Sequence, residues 1–232
     1  MSKKLNVLVA CEESQAVCIA FRELGHEAWS CDIQECSGGH PEWHINCDVL
    51  KILRGGCEFM TQDGMMHLAP DKWDLVIAHP PCTDIAVSGA AWFAEKQHDM
   101  RQQKACVFFM HCIYANSDHV AVENPVCIMS TVYQKPTQII HPWMFGDNYS
   151  KQTCLWLRGL PKLKPVVSEK PELEWFEWID KKTGKKKRQP KWFADAWRLP
   201  PAERAKVRSK TFPGIAKAMA EQWSAYLTGG EA

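Results

Sequence analysis

Two short stretches of this 232-residue chain put reactive side chains directly after apolar runs: His79-Pro80-Pro81-Cys82 and Glu123-Asn124-Pro125. A cysteine acts as a nucleophile through its thiolate. Two prolines before it stiffen the loop and remove two backbone donors, which helps to aim the side chain. A carboxyl at a neighbouring strand end can hold or deliver a proton. Together the two groups match one addition reaction. The Cys82 thiolate attacks carbon 6 of a cytosine ring while Glu123 holds the proton on ring nitrogen 3. Carbon 5 then becomes nucleophilic and takes a methyl group, a base removes the carbon-5 proton, and the thiolate leaves. Such covalent catalysis divides one hard step into easier ones. Most free cysteines are buried and inert, and the other ten of the eleven here are read that way.

Both motifs need strands that end where they begin. Residues 5–11 (LNVLVAC), 27–32 (EAWSCD), 73–78 (WDLVIA), 119–123 (HVAVE) and 153–157 (TCLWL) are apolar runs of strand length. Between them, residues 14–24 form an amphipathic helix with Ser14 as cap and Gly25 as stop, residues 48–53 start a helix, and residues 102–115 form an apolar one. Residues 55–70 read as a loop or insertion. Pro213 opens a last helix over 213–227. Alternation of strand and helix predicts an α/β, Rossmann-like fold with a mostly parallel, doubly wound sheet. Ligands of such sheets bind beyond the carboxyl ends of the strands. Asp32 ends the second strand, where an acid accepts bonds from ribose hydroxyls, and Asp48 follows one connection later, near an adenine.

Charge is balanced overall, with 28 basic and 27 acidic residues, but not locally. Residues 180–191 carry seven Lys or Arg against one Asp, a net +6, which leaves −5 for the rest. EWFEW at 174–178 and KWFADAW at 191–197 flank this run, predicting a hairpin with a Lys-Thr-Gly turn. Basic residues beside aromatics suit phosphate contact and base stacking; the plainer reading is a solvated tip. Cys36, His40, His44 and Cys47 have donor chemistry for zinc, but their spacing predicts loop packing and no metal. The odd cysteine count, the lack of a signal sequence and the lack of a long apolar span predict a cytoplasmic protein with reduced thiols, away from membranes.

Several segments resemble the cytosine-5 DNA methyltransferases, in particular a compact subgroup often carried by phages and prophages. DLVIAHPPCTDIAVSG (74–89) resembles their Pro-Cys loop, VAVENP (120–125) their Glu-Asn-Val motif, and residues 7–33 their first strand, helix and second strand. CDV (47–49) is similar to their short acidic motif, and TFPGIAKAMAEQW (211–223) to their last motif. The resemblance implies a methyltransferase domain over 1–165 and 210–232, with a short recognition insertion at 166–209. It implies Cys82, Glu123 and Asn124 as catalytic residues and S-adenosyl-L-methionine as cofactor. Ala10, Cys11, Glu12 and Ser14 of the first loop would bind it, with Asp32 and Ile33, Asp48 and Val49, and His79 and Pro80. The implied partner is DNA, bound by a monomer. Lys181, Lys182, Lys185, Lys186, Lys187 and Arg188 would contact it.

The chain departs from that family in three places. Ala10-Cys11-Glu12-Glu13-Ser14 replaces the Phe-x-Gly-x-Gly loop, and Pro125 replaces a valine. The Gln-x-Arg-x-Arg motif is present only as Gln152-Thr153-Cys154, so Lys151, Gln152 and Arg158 are the candidates for ring and phosphate contact. Two alternatives stay open: a related transferase acting on single strands or a nucleotide, and a degenerate DNA-binding protein. Amino-group methyltransferases end the equivalent strand in Pro-Pro-Tyr or Pro-Pro-Trp, which Cys82 does not match.

Overall fold

Seven strands form one sheet in this computed structural model, which describes residues 3–209 and 211–229. β1 (Asn6–Ala10) runs into α1 (Ala16–Glu23), followed by β2 (Glu27–Asp32) and β3 (His44–Asn46). A small hairpin comes next, β4 (Glu58–Met60) and β5 (Met66–Leu68). β6 (Leu75–Ala78) leads to α2 (Phe93–His98) and α3 (Arg101–Ile113). Then come β7 (Val120–Asn124), α4 (Met129–Val132), β8 (Gln138–Ile140) and β9 (Thr153–Arg158).

The sheet order is β3-β2-β1-β6-β7-β9-β8. From β3 to β7 all neighbours are parallel, whereas β9 is antiparallel to both β7 and β8. The fold is thus mixed α/β with a largely parallel sheet, compatible with a Rossmann-like architecture. The chain crosses from the β3 side to the β7 side between β1 and β6, and a topological switch point of this kind is where such sheets bind ligands.

Side chains alternate across the sheet and both faces are covered. Val7 and Val9 of β1 pack with Phe21 of α1 and with Met219 and Trp223 of α7 (Pro213–Thr228), which shares this face with α1. Leu8 and Ala10 face the other way, toward Phe109 and Ile113 of α3 and the buried Trp73. This two-sided burial explains why the strands are near-continuous apolar runs.

The inserted segment lies outside the seven-stranded sheet. β10 (Trp175–Ile179) pairs antiparallel with β11 (Lys186–Pro190), and two helices follow, α5 (Lys191–Ala196) and α6 (Pro201–Ser209). Lys210, where the methyltransferase domain is expected to resume, lies outside the described residues. No described helix is long and apolar enough to cross a membrane.

Four local expectations are corrected. Ser14 does not cap α1; the Glu12 carboxylate does, accepting Val17 N–H at 2.7 Å and Cys18 N–H at 3.2 Å. Residues 48–53 make only one 3₁₀ turn, with Asp48 accepting from Leu50 N–H. Residues 55–70 are the β4–β5 hairpin, anchored by buried Phe59. KWFADAW is α5 and not a strand: the basic run itself supplies β11, and α5 turns Ala196 into the interior.

Candidate active site

β1, β6 and β7 end side by side, and the loops after them converge. His79 N–H donates to the Ala10 carbonyl, which extends the β6–β1 pairing by one residue past the strand. Asn124 Nδ2 donates to the Pro80 carbonyl at 2.7 Å and so ties the Pro-Pro loop to the end of β7. Beyond Cys82 the loop is clamped again. Ala86 bridges Cys127, and Val87 N–H donates to the Val126 carbonyl. Lys96, buried on α2, bonds the Thr83 carbonyl and lies 3.4 Å from Asp84. The cysteine's loop is thus held on both sides, by backbone bonds and by the side chains of Asn124 and Lys96.

His79 Nδ1 donates to Glu123 Oε2 at 3.2 Å, and only 11% and 13% of the two side chains are exposed. Burial opposes the charge on Glu123, but the His79 hydrogen bond and the charges of Lys151 and His79 outweigh it, so the carboxyl titrates below its ordinary value. Burial likewise opposes the charge on His79. There the Glu123 bond and the carboxylates of Glu123 and Glu12 prevail, and the imidazole titrates above its ordinary value. The two opposite shifts favour the pair as imidazolium and carboxylate. Cys82 is partly buried, and that burial lifts its thiol above the ordinary value. The Glu123 charge adds to the lift, and Lys151 and Arg208 offset part of it. The free protein consequently holds Cys82 mainly as the thiol.

The expected residues divide into those that meet here and those that do not. Glu123 and Lys151 act electrostatically on both Cys82 and His79. Asn124 is buried and positions the loop, leaving its Oδ1 without a partner among the described residues. Glu12 is buried, and its carboxylate serves α1, so the helix N-terminus is not open to another anion. Burial also pushes the Glu12 carboxyl above its ordinary value, with His79 and the two N–H bonds opposing.

Ala10, Val49 and Pro80 are buried and present little surface to a ligand. Cys11 takes a left-handed conformation, φ 59°, with its N–H on the Cys31 carbonyl. Ser14 is partly buried in the same loop. Asp32 and Asp48 sit at the β2 and β3 ends, each with one oxygen on a backbone N–H, and Ile33 between them in sequence is 77% exposed.

Arg158 is displaced from this group. β9 runs antiparallel, so Arg158 pairs with Val120 at the start of β7, and its guanidinium bonds the Ala115 and Ser117 carbonyls at 2.7 Å each. Lys151 and exposed Gln152, which enter β9, remain at the Glu123 end. The arginine that does approach Cys82 is Arg208 of α6, unmarked by any motif. Its guanidinium lies 3.9 Å above the Phe193 ring, and its carbonyl accepts from Lys151 Nζ at 3.2 Å.

On the hairpin, Asp180 accepts from Lys182 and Thr183 N–H and builds a turn completed by Gly184 at φ +66°. Lys186 pairs with Glu177 at 2.6 Å and Lys187 with Asp180, so part of the positive charge is cancelled within the ribbon. Arg188 lies over Trp175 at 4.6 Å. On the opposite face Phe176 and Trp178 stack at 6.0 Å and remain exposed. The former zinc candidates are engaged elsewhere. His44 bonds Ser30 and the Gln34 carbonyl, and His40 stacks on Trp43. Cys47 approaches Cys31. Among the described residues no group of three or more such side chains is arranged to hold a metal. Comparison with known proteins found no family model that matches the chain and no curated protein whose sequence matches it.

Proposed function

We propose that the chain transfers a methyl group from S-adenosylmethionine to carbon 5 of cytosine in DNA through a covalent adduct on Cys82. The observation that carries this reading is the meeting of Cys82, Glu123 and His79 at the ends of two neighbouring parallel strands, beside the switch point. A nucleophile and a carboxyl that can relay a proton, held by neighbouring strands, are what addition across a pyrimidine ring requires.

The residues fit the cofactor at its adenosine end. Asp32 and Asp48 each keep one carboxylate oxygen with no partner among the described residues, for ribose hydroxyls and the adenine amine. Exposed Ile33 offers an apolar surface beside them. They do not fit a cofactor carboxylate on the first turn of α1, where Glu12 already sits. When bound, the cofactor supplies an electrophilic methyl group.

The chain's own groups do the rest. Cys82 loses its proton and bonds to carbon 6, and the ring's electron pair moves to nitrogen 3, which Glu123 protonates. Lys151 and Arg208 stabilise the thiolate as it forms. Phe176 and Trp178 present open ring faces, and Lys181, Lys182 and Lys185 have no ion-pair partner among the described residues; both features suit stacking and phosphate contact.

The test is to express the protein, digest cellular DNA to nucleosides and measure 5-methylcytosine by mass spectrometry. The modified base should appear with the native chain and be absent with Cys82→Ala. No modified base with the folded native chain would overturn the reading.

A further inference from the structure

His79 is the group beside Glu123 that the addition chemistry does not itself require. It is a nearly buried imidazole paired with the Glu123 carboxyl on β7 and acted on by the charge of a second carboxyl, Glu12 on the loop after β1. Nδ1 is committed to Glu123 at 3.2 Å, and Nε2 is buried with no partner among the described residues. A histidine needed only to fill space would not hold an ionisable ring against a buried acid with its other nitrogen unsatisfied, because such a nitrogen costs desolvation free energy.

We infer that the His79–Glu123 couple stores the proton that Glu123 delivers to ring nitrogen 3, with His79 as the positioning residue that keeps this proton in the pocket at neutral pH. The inference rests on the proposed pyrimidine chemistry and deepens it. The step balances as follows. Cys82 releases its thiol proton to solvent, and the thiolate pair forms the bond to carbon 6. The displaced π pair reaches nitrogen 3 and takes a proton from Glu123, which takes one from His79 Nδ1. After carbon 5 has taken the methyl group, nitrogen 3 returns its proton by the same route; a base then takes the carbon-5 proton, whose bonding pair forms the carbon 5–carbon 6 double bond as the thiolate leaves, so the couple ends as it began.

A lone carboxyl would be deprotonated above its own pKa and unable to serve. The couple retains one proton up to the higher pKa of His79, which burial opposes and the Glu123 and Glu12 carboxylates raise. The charged and titratable groups facing His79 are Glu12 from the β1 loop, Glu123 from β7 and Lys151 from the segment entering β9; Lys151 opposes its protonation. Cys82 shares its loop and faces Glu123.

His79→Asn keeps an N–H toward Glu123 but carries no proton to lose. The alkaline limb of kcat/KM should therefore move toward acid in the variant. Between the two limbs the ratio of native to variant rate should grow roughly tenfold per pH unit. A purely structural role predicts a ratio that is flat with pH, and that result would overturn the inference.

A second measurement needs no turnover. In protein with ¹⁵N-labelled histidine, NMR should show His79 as imidazolium beyond the pH at which exposed histidines become neutral, and Glu123→Gln should return it to a lower value. A neutral His79 at pH 6.5 in the native chain would sink the couple while leaving methylation untouched. An imidazolium His79 in a chain that makes no 5-methylcytosine would keep the couple as an acid–base pair and remove the proposed reaction.

Discussion

The Cys82 pocket and the β10–β11 ribbon use charge in opposite ways. In the pocket, few ionisable groups are buried and each answers to a named neighbour: Glu123 to His79, Glu12 to the first turn of α1. On the ribbon, seven basic residues crowd into twelve positions, exposed, and acids on the same ribbon cancel some of them. Buried charges interact strongly and are weakly screened, so placement decides; exposed ones are screened, so number decides. The pocket is therefore where single atoms should matter, and the ribbon is where only sums should.

The severest test of that contrast is Cys82→Ala. It should abolish methyl transfer, and the stable adduct expected with 5-fluorocytosine DNA, while the melting temperature stays close to native, since Cys82 is not part of the core. Gel analysis of the denatured complex reads the adduct. An adduct in the variant would remove Cys82 from its role.

Glu123→Gln should cost roughly 10²–10⁴-fold in rate, the range of acid–base groups. It should also make the thiol more acidic. The Glu123 carboxylate helps to hold Cys82 above its ordinary pKa, so removing the charge shifts alkylation of Cys82 by iodoacetamide to lower pH. A shift in the other direction would mean that Glu123 does not face the thiol.

For the ribbon the structure sharpens which lysines to change. Replacing Lys181, Lys182 and Lys185 by alanine should flatten the salt dependence of duplex binding by up to about 2.7 log units, at about 0.9 per lost phosphate contact. Replacing Lys186 and Lys187, already paired with Glu177 and Asp180, should flatten it less. Fluorescence anisotropy over a salt series compares the two. Equal effects would break the distinction between free and paired cations.

The smallest effect expected is on stability. The folded-state pKa of Glu12 is raised, so its contribution favours the fold at low pH and is lost as pH rises through that value. Glu12→Gln lacks that loss. Its stability relative to native should therefore improve from pH 4 to pH 7, as read by thermal melts. A constant difference would place the Glu12 titration elsewhere.

Much of the sheet was legible because buried parallel strands leave apolar runs, as at Val7–Ala10 and Leu75–Ala78. Strand direction leaves no such mark. TCLWL reads the same whichever way it runs, which is why Arg158 was expected near Cys82 and lies at the other end of β7. Glu12 was misread because the loop turns at Cys11 and Gln15, two left-handed non-glycine residues that local preference disfavours and tertiary packing imposes. Arg208 was invisible for another reason: its helix is one of several basic stretches, and only docking on Lys151 distinguishes it. The positions of Cys82 and Glu123 beside a strand end were legible because apolar runs stop near both, Glu123 within the end of β7 and Cys82 four residues past β6.

The contact between Lys151 Nζ and the Arg208 carbonyl joins residues 57 positions apart, so everything from β9 through the ribbon to α6 is a closed excursion whose two ends meet at the pocket. Closing a chain loop costs entropy that grows only logarithmically with its length, about 0.6 kcal/mol for each doubling. Residues can accordingly be added to or removed from the outer part of this excursion at little thermodynamic expense, provided both ends still meet. The ribbon is thus the part of the molecule whose length and sequence are free to drift while the distances around Cys82 stay fixed.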